Sequence, residues 1–154
     1  VDAIAGWWTD QGLAAFPTAK QLLILADAGG SNSYRARLWK ERFQTVLCDR
    51  LGLQVTVCHF PPGTSKWNPI EHRLFSFISG NCVGTPLRTW ELFLAAIRGT
   101  TTKAGLTVEA VLHSDKYQTG WTVTNALMRT LNLEPHAICP AWSYTLRPRQ
   151  LACT

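Results

Sequence analysis

Two carboxylates in this chain stand where a sheet-and-helix protein can do chemistry. Asp27 directly follows the apolar run Leu22-Leu23-Ile24-Leu25-Ala26 and opens a turn at Gly29-Gly30-Ser31-Asn32. Glu71 closes the segment His59-Phe60-Pro61-Pro62-Gly63-Thr64-Ser65-Lys66-Trp67-Asn68-Pro69-Ile70-Glu71, which leads on into His72-Arg73. Active sites of open α/β sheets lie at the carboxyl ends of strands, and a hard cation such as Mg²⁺ takes carboxylate oxygens. Both residues also have plainer uses. Asp commonly makes an Asx-turn into a Gly corner. Asn68, Pro69 and Glu71 fall in register as N-cap, N1 and N3 of a capping box, worth about 1 kcal/mol. A helix N-terminus is nonetheless a firm mount for a metal-binding carboxylate, so the two roles are compatible.

Other side chains near these carboxylates suit an acidic polymer. Lys66 can meet a phosphate and Trp67 can stack on an unpaired base, or Trp67 can close a core. His59, at the end of the second apolar segment, can orient a ligand or serve as a hydrogen-bonded structural residue. His72 and Arg73 can reach a nucleic-acid backbone or simply face solvent, and Arg147 and Arg149 fit a basic rim. Gly29 to Asn32 could cradle a phosphate at a helix start, although neither a GxGxxG nor a Gly-Lys-Ser/Thr pattern is present. Ser31 and Ser65 lack local His and Asp partners for nucleophilic catalysis.

Hydrophobic patterning supplies the elements that must hold these residues. Ile4, Trp7 and Trp8 have helical spacing from Ala3 to about Leu13. Gln21 to Ala26 reads as a strand buried on both faces of a parallel sheet. A long helix is expected from about Tyr34 to Leu51, with Trp39, Phe43, Val46 and Leu47 inward and Gly52 as its stop. Leu53 to Phe60 is the second strand. A helix from Pro69 should bury Ile70, Leu74, Phe77 and Ile78, and another should run from about Leu87 to Arg98. Leu106 to Leu112 is a possible strand, Val123 to Leu131 a short helix and Trp142 to Leu146 a final strand. Alternating strands and helices indicate an α/β fold.

The 154 residues fit one domain, and 46% apolar residues suffice for a core. A formal charge of +5 suits an anionic partner. Five cysteines with no CxxC pair read as reduced thiols, buried as small hydrophobes, and so as a cytosolic protein. No apolar run reaches the roughly 20 residues of a membrane helix. The start at Val1, inside a helical pattern, reads as that of a fragment.

Asp27 in Ala-Asp-Ala-Gly-Gly-Ser-Asn, followed by His-Phe-Pro-Pro-Gly-Thr-Ser-Lys-Trp-Asn-Pro-Ile-Glu-His-Arg, resembles the DDE transposases of bacterial insertion sequences, with a mariner-like Asn-Pro-x-Glu motif. The resemblance extends to Gly6-Trp7-Trp8, to Pro86-Leu87, to Thr100-Thr101-Thr102-Lys103-Ala104-Gly105-Leu106 and to Trp142-Ser143-Tyr144-Thr145-Leu146-Arg147-Pro148, nearly the whole chain. Ala28 departs from an expected Gly, and Cys82 from an expected aromatic residue.

What the resemblance implies is a ribonuclease-H-like fold in partial form, residues 1–154 being a single, N-terminally truncated catalytic domain. Asp27 would be the second Asp and Glu71 the Glu of a site holding two Mg²⁺ ions, for which Mn²⁺ can substitute. The first Asp would lie on a strand upstream of Val1, since Asp2 and Asp10 fall on or beside the first helix. Lys66, Trp67, His59, His72 and Arg73 would face DNA, meaning transposon ends and target. The implied activity is metal-dependent strand cleavage and strand transfer, with this fragment alone inactive. The full-length enzyme would act as a homo-oligomer in the bacterial cytoplasm, at the nucleoid when bound to DNA, without membrane contact. Two alternatives stand beside it: a non-catalytic DNA-binding remnant of a transposase, and an α/β enzyme binding a small phosphorylated metabolite at Gly29 to Asn32.

Overall fold

The computed structural model describes residues 1–113 and 120–150. The chain forms two compact units, Val1–Pro62 with Gly120–Thr154, and Gly63–Thr119.

In the first unit a helix α1 spans residues 2–15, turning wide over Trp8–Gly12. Strand β1 follows at Gln21–Ala26, then helix α2 over residues 37–50 and strand β2 at Gln54–His59. Gly52 ends α2 at φ 69°, a conformation that costs other residues energy and glycine little. A short helix α5, Asn125–Arg129, precedes strands β3, Leu133–Pro135, and β4, Ser143–Leu146. The sheet order is β1-β2-β4-β3. β1 and β2 run parallel, with Gln21 opposite Gln54 and Ala26 opposite His59, and β4 lies antiparallel to both β2 and β3.

One face of this sheet carries the core. Val55, Val57, Tyr144 and Leu146 pack with Ala5 and Trp8 of α1 and with Phe43, Val46, Leu47 and Cys48 of α2. Trp39 meets Phe43 edge-on with ring centroids 4.3 Å apart, so the expected inner face of α2 is the observed one. β1 differs from expectation. It lies at one edge of the described sheet, and Leu23 and Leu25 on its other face are 61% and 53% exposed. An unbroken apolar run therefore marks a strand here without marking burial on both sides. β3 was not foreseen, because three residues ending in Pro give no strand signal and form a strand only through β4.

A polar node fastens the C-terminal segment to α2. Gln44, fully buried, donates to Asp49 Oδ1 at 2.8 Å and to the Arg147 carbonyl at 2.9 Å, and accepts from the Asn132 N–H at 2.8 Å. Arg149 donates to Asp49 through Nε at 2.9 Å, Nη2 at 2.6 Å and its backbone N–H at 2.9 Å. Burial alone would push the Asp49 carboxyl up. The hydrogen bonds from Arg149 and Gln44 outweigh it and hold the carboxyl below its ordinary value.

The second unit contains α3, residues 71–82, and α4, Trp90–Arg98. Thr89 caps α4 by accepting from the Leu92 N–H at 3.3 Å. Asn81 Nδ2 donates to the Ala96 carbonyl at 2.7 Å, tying the two helices together. No residue of either helix is fully buried, and Ile70 and Phe77, expected inside, are exposed, while Leu74 and Ile78 are half-buried. Two helices have too little mutual surface to cover a whole apolar face. Leu106 to Leu112 is not a strand, since among the described residues no strand pairs with it to complete a ladder.

Cys48, Cys58, Cys82 and Cys139 are free thiols, and Cys139 is exposed rather than buried; Cys153 lies outside the described residues. Among the described residues no helix is long and apolar enough to cross a membrane.

Candidate functional site

The carboxyl end of β1 delivers Asp27 into a compact turn. Its carboxylate Oδ1 accepts a hydrogen bond from Asn32 Nδ2 at 2.9 Å, so the turn grips the side chain through Asn32. The three-residue helical turn Gly30–Asn32 brings Asn32 back, with Ser33 N–H donating to the Gly30 carbonyl at 3.3 Å. α2 begins only at Arg37, so Gly29 to Asn32 meets no helix N-terminus and lacks the convergent amides a phosphate cradle needs.

His59 ends β2 on the buried face shared by Val55 and Val57, and its ring reaches over the end of β1. Nδ1 lies 3.0 Å from the Asp27 carbonyl oxygen and Nε2 lies 3.3 Å from the Tyr144 hydroxyl. Burial pushes the Tyr144 phenol well above its ordinary value. The Trp39 indole N–H, buried without a hydrogen bond of full geometry, pulls weakly the other way. The hydroxyl therefore keeps its proton. Tyr34 stacks on Trp142 at 4.1 Å and stands edge-on to His59, closing the ring in. Beside it opens a largely apolar cleft of about 530 Å³ lined by His59, Pro61, His136, Cys139 and Trp142.

Five of the remaining site residues share one segment of the second unit. Gly63, at φ 78°, completes the Pro-Pro-Gly turn. Lys66 and Trp67 follow in the turn Ser65–Trp67, with Lys66 Nζ 5.2 Å from the Trp67 ring centre. Trp67 is 67% exposed, so it closes no core and offers an open ring face. His72 Nε2 lies 3.0 Å from the Lys66 carbonyl oxygen and ties the start of α3 to this turn. Asn68 Oδ1 accepts from the Ile70 N–H at 3.3 Å, the N-cap role its position suggests. The reciprocal arm of a capping box does not form, and among the described residues the Glu71 carboxylate is unpaired and exposed. His72 and Arg73 edge an open depression of about 530 Å³ with Phe77, Thr102 and Gly105.

Asp27 and His59 thus belong to the first unit, and Lys66, Trp67, Glu71, His72 and Arg73 to the second. Arg147 and Arg149 form no free basic rim, because Arg147 pairs with Glu134 and Arg149 with Asp49. Tyr144 escaped sequence reasoning altogether, since it meets His59 across 85 positions and no local pattern announces that. Asn32 was within reach as part of the turn after Asp27. Among the described residues no group of three or more His, Cys, Asp or Glu gathers as a metal site.

A family model described as the Rhodopirellula transposase DDE domain matches residues 1–148. No curated protein and no solved structure matches the chain.

Proposed function

This chain belongs to the insertion-sequence DDE transposase family, and from that membership we propose that it supplies two of the three carboxylates that cut and join DNA during transposition. Asp27 and Glu71 are the two. Asp27 would ligate a divalent ion together with the third carboxylate, and Glu71 would complete the second ion's site, with Mg²⁺ as the metal and Mn²⁺ as substitute. The donor chemistry fits: Asp27 Oδ2 and both Glu71 oxygens are uncommitted among the described residues, and hard cations take such oxygens. The observation that carries the reading is Asp27, fixed at the carboxyl end of β1 by bonds to both its carbonyl and its carboxylate.

Ions held there would supply Lewis-acid activation of the attacking water or DNA 3′-hydroxyl and charge stabilisation of the leaving phosphodiester oxygen. The chain's own part is positional. Lys66 and Arg73 bring positive charge to the DNA backbone, exposed Trp67 offers a stacking face, and His72 holds the turn that presents them. His59, expected at the DNA surface, is buried with both ring nitrogens engaged and takes no part in it. We place the third carboxylate outside residues 1–154, on a strand pairing with the open edge of β1 in a ribonuclease-H-like sheet. The apolar strand β1, whose outer edge pairs with no described strand, supports this, as such an edge is rarely left bare. The working enzyme is then an oligomer that joins two transposon ends to target DNA at the bacterial nucleoid.

A plasmid-nicking assay with Mg²⁺ tests the reading. The chain alone is expected to leave supercoiled plasmid intact. Joined to a strand bearing the third carboxylate it should nick, and Asp27→Asn or Glu71→Gln should abolish nicking. Nicking by the joined protein that survives either substitution would refute the assignment of that residue.

A further inference from the structure

We propose that Tyr144 and His59 are positioning residues that lock the backbone of Asp27, and with it the direction of its carboxylate, through a single fixed tautomer of the His59 ring. The hydrogen-bond chemistry leaves one arrangement for the neutral ring. The Asp27 carbonyl can only accept, so His59 Nδ1 must carry the proton it donates across 3.0 Å. Nε2 is then a bare acceptor and takes the phenol proton of Tyr144 across 3.3 Å. Tyr144 can serve only as donor in this chain of bonds, and its burial in the core keeps its ring from turning away.

The register makes the lock effective. Ala26 pairs with His59 at the last rung of the parallel ladder, and the Phe60 N–H donates to the Ala26 carbonyl at 2.8 Å. Asp27 lies one residue beyond, where no ladder bond holds it. The His59 ring replaces the missing rung, and Asn32 holds the carboxylate from the opposite end. Both supports lie within the first unit. Partners that orient a metal ligand without touching the metal commonly matter about 10- to 100-fold in affinity.

The proposal rests on Asp27 being a metal ligand, and its test separates the two claims. Nitrogen-15 spectra of His59 in the whole chain report the tautomer directly; the Nδ1–H form is expected, and an Nε2–H form would overturn the lock. Mn²⁺ titration, followed by line broadening at the Asp27 amide, reports the site. Asp27→Asn should abolish the broadening, and broadening that persists sinks the metal assignment while leaving the tautomer result standing. His59→Gln reaches Tyr144 but not Asp27, and Tyr144→Phe removes the donor, so each should weaken Mn²⁺ about tenfold. His59→Asn, whose amide nitrogen sits where Nδ1 was, should return affinity to near wild type. Wild-type Mn²⁺ affinity in folded Tyr144→Phe would overturn the proposal. That variant removes one oxygen from a packed ring and carries the test even where His59→Gln does not fold.

Discussion

Asp49→Asn probes the node that fastens the C-terminal segment to α2. In the wild type the Asp49 carboxylate meets Arg149 through Nε, Nη2 and the backbone N–H, and meets Gln44 as well. Breaking a buried ion pair by removing one partner costs about 3–5 kcal/mol. The side chains of Arg149 and Asp49 are 29% and 10% exposed, so water reclaims part of the stranded guanidinium, and Asn keeps one acceptor oxygen. About 2 kcal/mol remains, which at this size lowers the melting midpoint by roughly 4–8 °C. The pH dependence has a definite sign. The folded carboxyl titrates below its ordinary value, so its contribution is complete above the unfolded value of about 3.9 and is lost as pH falls through the folded one. Calorimetry of wild type and variant at neutral pH and at successively lower pH should show the gap narrowing once pH falls below about 3.9. A midpoint unchanged at neutral pH, or a gap that persists in acid, refutes the reasoning.

Gln44→Leu keeps the volume but takes their Gln44 partner from the Arg147 carbonyl and the Asn132 N–H, in part-buried bonds. A loss of about 3 kcal/mol in urea unfolding is expected, at 1–3 kcal/mol for each unsatisfied group. For single-stranded DNA, Trp67→Ala should weaken binding by about 1–3 kcal/mol through lost stacking. Lys66→Ala should weaken it evenly across sequences and lower the salt slope by about one. Trp67→Ala binding like wild type would remove that residue from the DNA surface.

Local signals carried much of the fold. β1 falls at the expected Gln21–Ala26, α2 is ended by the foreseen Gly52, and the inner face of α2 follows the 3.6-residue spacing of Trp39, Phe43 and Val46. What escaped depends on partners far along the chain. Nothing local to Leu22 to Ala26 says whether a strand is central or at an edge, and nothing near Leu106 to Leu112 says that no ladder waits for it. Arg149 read as a free cation because its partner is 100 positions away. At the candidate site, Asp27, Lys66 and Trp67 were visible from their turns. The hydrogen-bonded structural role offered for His59 is the one observed, but its partners were not legible, because they are the Asp27 carbonyl and a hydroxyl on β4 far along the chain.

The first unit is made of two stretches of chain separated by the second unit, and that sets an order on the ribosome. β2 emerges early, but its antiparallel neighbour β4 comes about 90 residues later, and the Arg149 clamp later still. At synthesis rates of about 5–20 residues per second, β2 waits roughly 5–20 s with one edge unpaired. During that time the whole of residues 63–119 has been made and can settle its own helices. The carboxyl end of β1 acquires its full support only when Tyr144 arrives. The turn at Asp27 is therefore made long before the bonds that reach it through His59 and Tyr144 are complete.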